Sequence, residues 1–256
     1  MESCRPTAAD EGLPRKKVVT VARNAASPRD RYRAQVRTEI KEHAWQQIAG
    51  AGASALSLNA IAKQMGMTGP ALYRYFGNRD ELITELVTDA YRSLADTFRA
   101  AAADGADLAG LAHALRGWAL ADPQRYFLIY GTPVPGYHAP DDVTAIAAEI
   151  METLLDAAVA VPARPGGAGG ADEGADDGAE KEAYERSYEK SFEAHLAEHR
   201  SWDGGHRAAP ADLRRALAFW SRLHGVVSLE LAGHFTGMGF DAAQFFAAEL
   251  DGLLDR

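Results

Sequence analysis

The segment from Ser57 to Phe76 has small, polar and aromatic residues spaced as two short helices across a tight turn would need them. Ala62 is small enough to let the two helices cross closely, and Gly66, four residues later, suits the turn. The second helix would begin at Thr68, whose hydroxyl and first-turn amides suit a phosphate because a helix N-terminus favours negative charge. The chemistry expected of this segment is therefore hydrogen bonding to phosphates and base edges.

Histidines near residue 200 are the residues best suited to hold a metal ion. His195 and His199 would share one helix face, but Glu198 does not stand where a His-Glu-x-x-His zinc site needs it. His206 lies close to Asp203 in sequence, and a solvated surface is the simpler interpretation, so we predict no metal. The single cysteine excludes a cysteine zinc site. No glycine-rich phosphate loop, serine elbow or paired-carboxylate pattern occurs, so we predict neither an enzyme nor a cofactor.

Charge is distributed unevenly along the 256 residues. The whole chain carries −9, yet residues 1–79 hold thirteen basic against six acidic residues, a net charge of +7. The remaining residues hold fourteen basic against thirty acidic groups, a net charge of −16. Such asymmetry favours a nucleic-acid partner for the basic end. We expect residues 1–28 to form a flexible basic arm that leads into the first helix.

Helices are predicted to position the Ser57–Phe76 segment, because the chain has 51 alanines and few β-branched residues. The first helix, from 29 to 52, carries an apolar stripe at steps of four residues: Val36, Ile40, Ala44 and Ile48. Asn78 begins a long fourth helix, with Glu81 in the position of a capping box. We therefore predict an all-α chain in which residues 29–78 form a helix-turn-helix domain of three helices.

The rest of the chain, residues 79–256, is predicted to be one larger helical domain. Within it, residues 162–180 hold six glycines and no bulky apolar side chain, so we expect a disordered insert. Residues 181–200 have aromatic residues at helical spacing, but their polar content leaves both a helix and an irregular segment open. Two strong amphipathic helices are expected at 211–235 and 241–254.

The stretch from Met67 to Leu82 resembles the recognition-helix signature of the TetR family of bacterial transcriptional regulators. In that signature a Tyr-x-x-Phe pair, here Tyr73 and Phe76, is followed by a turn, a basic residue and an acidic-Leu pair. The resemblance implies DNA contacts for seven residues: Ser57, Asn59, Thr68, Gly69, Pro70, Tyr73 and Tyr75. It also implies a phosphate contact for Arg79 at the start of the fourth helix. The alternative is a helix pair that serves only as a packing unit.

Residues 218–231 resemble the Trp-His-Gly signature of one TetR subgroup, through Trp220, His224 and Gly225. The same helix has a stripe of small residues, which lets another helix approach closely: Ser221, Gly225, Ser228 and Ala232. We expect the last two helices to form a two-fold dimer interface, because two recognition helices are needed to read an inverted repeat. Packing of this face within its own chain is the alternative.

A small-molecule pocket is expected between the helices of the C-terminal domain. Its candidate wall is mainly aromatic, with His113 or His224 as polar groups: Phe98, Leu115, Trp118, Tyr126, Phe127, Tyr130, Phe219 and Trp220. For each of these residues, ordinary core packing is the alternative interpretation.

These features predict a cytoplasmic, homodimeric DNA-binding regulator. The resemblance implies a repressor that binds a palindromic operator in double-stranded DNA and releases it when a small-molecule effector binds. One alternative is a constitutive DNA-binding dimer whose C-terminal domain is only a dimerisation platform, and another is an enzyme on a helical scaffold. No apolar run approaches the ~20 residues needed to span a bilayer, so no membrane partner is expected.

Overall fold

The computed structural model describes residues 27–161, 175–200 and 202–254, and over these residues the chain is all-α, as predicted. All but the last two residues of the predicted basic arm lie outside this part of the chain. No helix within the described ranges is long and apolar enough to cross a bilayer. The helices there are α1 (Pro28–Ala51), α2 (Leu58–Gln64), α3 (Gly69–Leu72), α4 (Arg79–Ala103), α5 (Leu108–Ala121), α6 (Pro123–Tyr130), α7 (Asp141–Ala160), α8 (Ala175–Glu198), α9 (Pro210–Leu231) and α10 (Ala242–Leu254).

Helix α1 begins with a capping box. The Ser27 hydroxyl accepts from the Asp30 N–H, and the Asp30 carboxylate accepts from the Ser27 N–H, each at 3.2 Å. Gly52, with φ of +77°, ends the helix in a conformation that favours glycine. The predicted apolar stripe is buried, with exposed fractions of 6% or less, at Val36, Ile40, Ala44 and Ile48.

A tight turn joins α2 to α3. The Ser57 hydroxyl caps α2 by accepting from the Ala60 N–H at 3.3 Å. Gly66 in the turn has φ of +65°. The Thr68 side chain precedes α3 and makes no capping hydrogen bond in the described structure, so its hydroxyl is available to an external partner.

Two clusters of buried apolar side chains lie one after the other along α4. The N-terminal cluster joins α1 to α4 and includes the fully buried Ile40 and Phe76. The C-terminal cluster joins the second half of α4, from Leu94, to the helices that follow. Tyr91 and Ile129 pack against both clusters. Helix α4 and the end of α6 are therefore where the two cores meet.

Helix α8 corrects the expected extent of the insert. Residues 162–174 lie outside the described residues, but 175–180 are helical and belong to α8. Alanine, glutamate and lysine beyond this point are strong helix formers, which extends the helix through the segment that the sequence left open. Arg214 of α9 joins α8 to the domain through Glu189 and Glu193, at 3.1 and 3.0 Å.

Candidate DNA-recognition site and regulatory domain

The burial of apolar side chains determines which residues of α2 and α3 face solvent. Leu58, Ile61, Ala62 and Leu72 turn inward and are 5% exposed or less. Their burial leaves a largely polar face in solvent, made of Asn59, Lys63, Thr68, Pro70, Tyr73 and Arg74. Four of the predicted DNA contacts therefore lie exposed on this helix pair.

The start of α3 lies close to α2 at this face. A Cβ added at Gly69 would be 3.4 Å from Asn59 Oδ1, which is an ordinary van der Waals contact, so the Asn59 side chain lies beside the first turn of α3. Tyr73 has 44% of its surface exposed, which is a large fraction for an aromatic residue. Hydroxyl and amide groups on such a face are suited to phosphate and sugar contacts.

Two of the predicted contact residues, Ser57 and Tyr75, are held by α1. The Ser57 N–H donates to the Gln47 side-chain oxygen at 2.9 Å. The Tyr75 carbonyl accepts from Arg37, and the Arg33 guanidinium lies 5.7 Å from the centre of the Tyr75 ring. Both residues are half-buried, so their visible role is to fix α2 and α3 against α1.

Arg79 makes its described hydrogen bonds within the chain, and the phosphate contact that the resemblance implies stays a prediction. Its guanidinium donates to the backbone carbonyls of Ala53, Ser54 and Leu56, at 2.9, 3.2 and 3.2 Å. These carbonyls belong to the turn between α1 and α2. The structure therefore makes Arg79 a positioning residue, which ties the start of α4 to the helix-turn-helix unit.

We expect Arg79→Ala to lower the free energy of unfolding by about 2 kcal/mol, because three carbonyls lose a charged donor. The loss of free energy stays moderate because the Arg79 side chain is 31% exposed, so water can replace part of the lost hydrogen bonding. Arg74→Ala is the matched control, since Arg74 is exposed, and we expect it to stay within about 0.5 kcal/mol of the parent. Urea unfolding measures both, and equal stability of the Arg79 variant and the parent would contradict the assigned role.

Part of the positive charge of residues 1–79 is neutralised within the fold. Arg37 pairs with Glu85, and Lys41 Nζ lies 2.6 Å from the Asp89 carboxylate. Both pairs join α1 to α4. The net charge of +7 therefore overstates the positive charge that this end of the protein can offer to a nucleic acid.

The aromatic residues predicted to line a pocket pack mainly against one another. The His224 ring lies 4.1 Å from Trp220, 4.2 Å from Tyr130 and 5.6 Å from Tyr126, centre to centre. Phe127 packs edge-on against Tyr126. The remaining members are 9% exposed or less: Phe98, Leu115, Trp118 and Phe219. This packing favours the core interpretation for most of them.

One hydrogen-bond network lies inside this aromatic cluster. The buried Tyr126 hydroxyl is 2.7 Å from Ser228 Oγ and 3.0 Å from His224 Nδ1. Within the part of the chain that the structure describes, His224 Nε2 is buried and has no hydrogen-bond partner. Burial among neutral rings lowers the pKa of His224 from 6.5 to about 4, because burial disfavours the charged imidazolium. His224 is thus neutral at pH 7.

The depressed pKa of His224 predicts a stability that depends on pH. The unfolded chain binds this proton more readily than the folded chain, so the free energy of unfolding should fall as the pH drops from about 6.5 to about 4. Between pH 7 and pH 5 the loss from this residue should be about 2 kcal/mol. His224→Asn removes the titrating group and keeps an acceptor for Tyr126. Urea titrations at both pH values should show a smaller loss in the variant, and an equal loss would refute the assignment.

The small-residue stripe of α9 is largely exposed. Ser221, Gly225 and Ala232 face solvent, with Ala232 just past the end of the helix. Ser228 differs from the prediction because its hydroxyl turns inward to Tyr126. The exposed position beside it is Leu229, which is 45% exposed. A Cβ added at Gly225 would meet nothing within 4 Å, so the chain's own packing does not require glycine there.

The histidines considered for metal binding have partners within the chain. His206 Nε2 is 3.0 Å from Asp156 Oδ1, and its Nδ1 accepts from the Ala208 N–H at 3.0 Å. The rings of His195 and His199 stack at 4.1 Å on α8. The described residues contain no group of three or more histidine, cysteine, aspartate or glutamate side chains placed to hold a metal.

These elements define a class of protein, in which a helix-turn-helix unit with an exposed polar face is joined through α4 to a larger helical domain. Residues 40–86 match the family model described as bacterial regulatory proteins, tetR family. Residues 108–253 match the model described as tetracyclin repressor-like, C-terminal domain. The chain belongs to the TetR family of bacterial regulatory proteins. The finer resemblance to the Trp-His-Gly subgroup stays a prediction.

Relatives and solved structures agree with this membership. The HTH-type transcriptional regulators Mb1846 of Mycobacterium bovis and Rv1816 of Mycobacterium tuberculosis are each 45% identical over 135 residues, which is 50% of this chain and 58% of theirs. The chain thus spans little more than half the length of these curated relatives. The crystal structure of the candidate regulatory protein SCO4313 is 63% identical, with a TM-score of 0.75 over 90% of this chain and 100% of that one. A Rhodococcus sp. RHA1 protein of unknown function, 19% identical with a TM-score of 0.56 over 91% of this chain and 96% of that one, shares the fold.

Proposed function

We propose that the protein is a DNA-binding transcriptional regulator. The observation that carries the proposal is the exposed face of α2 and α3, which includes Asn59, Thr68 and Tyr73. The buried apolar side chains of the same two helices hold this face in place. A face of this kind can enter the major groove with its first residues toward base edges. Membership of the TetR family and the names of the mycobacterial relatives support the same function.

The protein acts as a homodimer on a palindromic operator. Support comes from the exposed small residues of α9, beside which α10 presents Phe245, Ala248 and Gly252 to solvent. Two helices from each protomer would form a four-helix contact around a two-fold axis. The same axis relates the two recognition helices and so matches the symmetry of an inverted repeat.

In this proposal the protein is a repressor released by a small molecule. Residues 29–78 form the DNA-reading domain and residues 79–256 the sensing and dimerisation domain, with α4 as their link. Because Arg79 ties the start of α4 to the turn before α2, a shift of α4 would move the helix-turn-helix unit with it. An effector can shift this equilibrium only by binding one arrangement more tightly than the other.

A second candidate is a constitutive DNA-binding dimer. The close packing of Tyr126, Tyr130, Trp220 and His224 favours it, since these residues fill the space where the sequence predicts a pocket. In that case the only role of the C-terminal domain would be to hold the two helix-turn-helix domains of the dimer together.

Selection of genomic DNA fragments by the purified full chain, followed by footprinting, tests the proposed function. We expect enrichment of one inverted repeat with half-sites about one helical turn apart. The logarithm of the affinity should fall linearly with the logarithm of the salt concentration, because phosphate contacts release counterions. Failure to enrich any sequence over an unrelated duplex at moderate salt would overturn the proposal.

A further inference from the structure

The lysines and arginines of residues 27–86 fall into two sets. Carboxylates of α4 pair with Arg37, Lys41 and Arg79. Over the described residues, the members of the other set are exposed and make no ion pair: Arg29, Arg31, Arg33, Lys63 and Arg74. Lys63 and Arg74 belong to the polar face of α2 and α3 described above. That leaves the three arginines at the beginning of α1.

The beginning of α1 lies level with the beginning of α4. Arg37 and Lys41 each bond to the α4 carboxylate 48 positions further along the chain, so the two helices run parallel. Because both helices rise equally per residue, this offset places Arg31 level with Arg79, the first residue of α4. Helix α4 runs from there into the core of the larger domain. The first turns of α1 therefore lie at the end of the helix-turn-helix unit that points away from the larger domain.

Arg29 and Arg33 lie on the side of α1 that meets the end of α3. They are four residues apart and, by helical periodicity, continue the face of the buried stripe that begins at Val36. Arg33 Nη2 donates to the Arg74 carbonyl oxygen at 3.0 Å, which brings this face against the residues that follow α3. Arg31 lies on the opposite side of the helix. The guanidinium groups of Arg29, Arg33 and Arg74 are thus gathered beside the recognition face.

Little negative charge offsets these guanidinium groups. Asp30 is the acidic residue among them, and its carboxylate accepts from the Ser27 N–H in the capping box. The Glu81 carboxylate of α4 accepts from the Gly77 N–H. Like charges that are held together repel one another, so a negatively charged partner would bind favourably. The guanidinium fork matches the oxygens of a phosphate group, and DNA presents a row of phosphates beside the bases that α3 could reach.

We propose that Arg29 and Arg33 bind phosphates of the DNA backbone, so that the beginning of α1 is a second DNA-contacting element beside α3. The inference rests on the proposed DNA-binding function and adds a contact site outside α2, α3 and the start of α4. One N–H group of Arg33 is used to hold the side chain against the Arg74 carbonyl, and a guanidinium has further donors for a phosphate. Such contacts position the protein on the duplex and carry no sequence information.

Titration of the full chain with two duplexes tests this site: the selected operator and an unrelated duplex of the same length. Fluorescence measurements at a series of salt concentrations give the slope of the logarithm of affinity against the logarithm of salt concentration. Arg29→Gln and Arg33→Gln should each make this slope shallower by about two for the proposed dimer, because each subunit loses one phosphate contact. At fixed salt concentration the affinity should fall by about tenfold or more, and equally for both duplexes, because every sequence has the same phosphates.

Arg31→Gln is the matched control, since it removes the same charge from the opposite side of the same helix and should keep the parental slope. Arg33→Lys keeps the charge and should also keep the parental slope. Parental slopes in both Arg29→Gln and Arg33→Gln would overturn this inference and leave the proposed function intact. An equal change in Arg31→Gln, or a loss of affinity confined to the operator, would also overturn it. If the parent bound neither duplex, the inference and the proposed function would fail together.

Discussion

Tyr73→Ala should weaken operator binding by about a hundredfold, since a lost contact of about 1.4 kcal/mol counts once in each half-site of a dimer. Tyr73 is 44% exposed on α3, and its removal uncovers no core residue. Folding and dimerisation should therefore be unchanged. The measurement is a gel-shift or fluorescence titration of the selected operator at fixed salt concentration.

Tyr188→Ala is the matched control for this prediction. Tyr188 is 69% exposed on α8, in the other domain, so its loss removes a similar side chain far along the chain from the recognition face. The control should bind the operator as the parent does. If Tyr73→Ala also retained parental affinity while remaining folded, the assigned DNA-facing surface would be wrong.

Gly225→Leu should dissociate the proposed dimer, with an increase in its dissociation constant of about a hundredfold or more. A larger side chain at a close helix contact costs about 1–3 kcal/mol, and two-fold symmetry applies the cost twice. The single subunit should tolerate the change, because a Cβ at this position meets nothing within 4 Å and leucine is a better helix former. Operator affinity should fall together with dimerisation. Sedimentation over a dilution series measures the effect.

Gly117→Ala and Gly225→Ala form a matched pair. Both glycines are exposed within helices, and neither added Cβ meets an atom within 4 Å. Each substitution should stabilise the subunit by up to about 1 kcal/mol through helix propensity. Only Gly225→Ala should weaken the dimer. A Gly225→Leu protein that dimerises as tightly as the parent would place the interface elsewhere.

The helix-turn-helix unit was largely predictable because its signals are local. Ser57 caps α2, Gly66 turns the chain and the stripe of α1 is buried, each as spacing along the chain dictates. The exposed positions Asn59, Thr68 and Tyr73 then follow from helical periodicity and from the burial of their neighbours. The hydrogen-bond or ion-pair partner that a side chain has on a distant element was not predictable in this way.

The larger helical domain shows this limit most clearly. Helical periodicity did not predict that the Ser228 hydroxyl contacts Tyr126 in the interior while the Leu229 side chain is exposed to solvent. Such contacts arise between elements that are distant along the chain, and periodicity within one helix carries no information about them.

The sequence by itself determined the all-α class and the helix-turn-helix unit, because caps, glycine turns and apolar periodicity act over a few residues. The family followed from the resemblance of residues 67–82 to a known signature. The tertiary structure alone decided the use of charged and polar groups. Arg79 binds the carbonyls of the α1–α2 turn, and Arg37 and Lys41 pair with acids of α4, although their spacing in sequence equally allowed contacts with DNA. The physical reason is that long cationic side chains reach whichever acceptor the packed fold brings near, and only the fold fixes which acceptor that is.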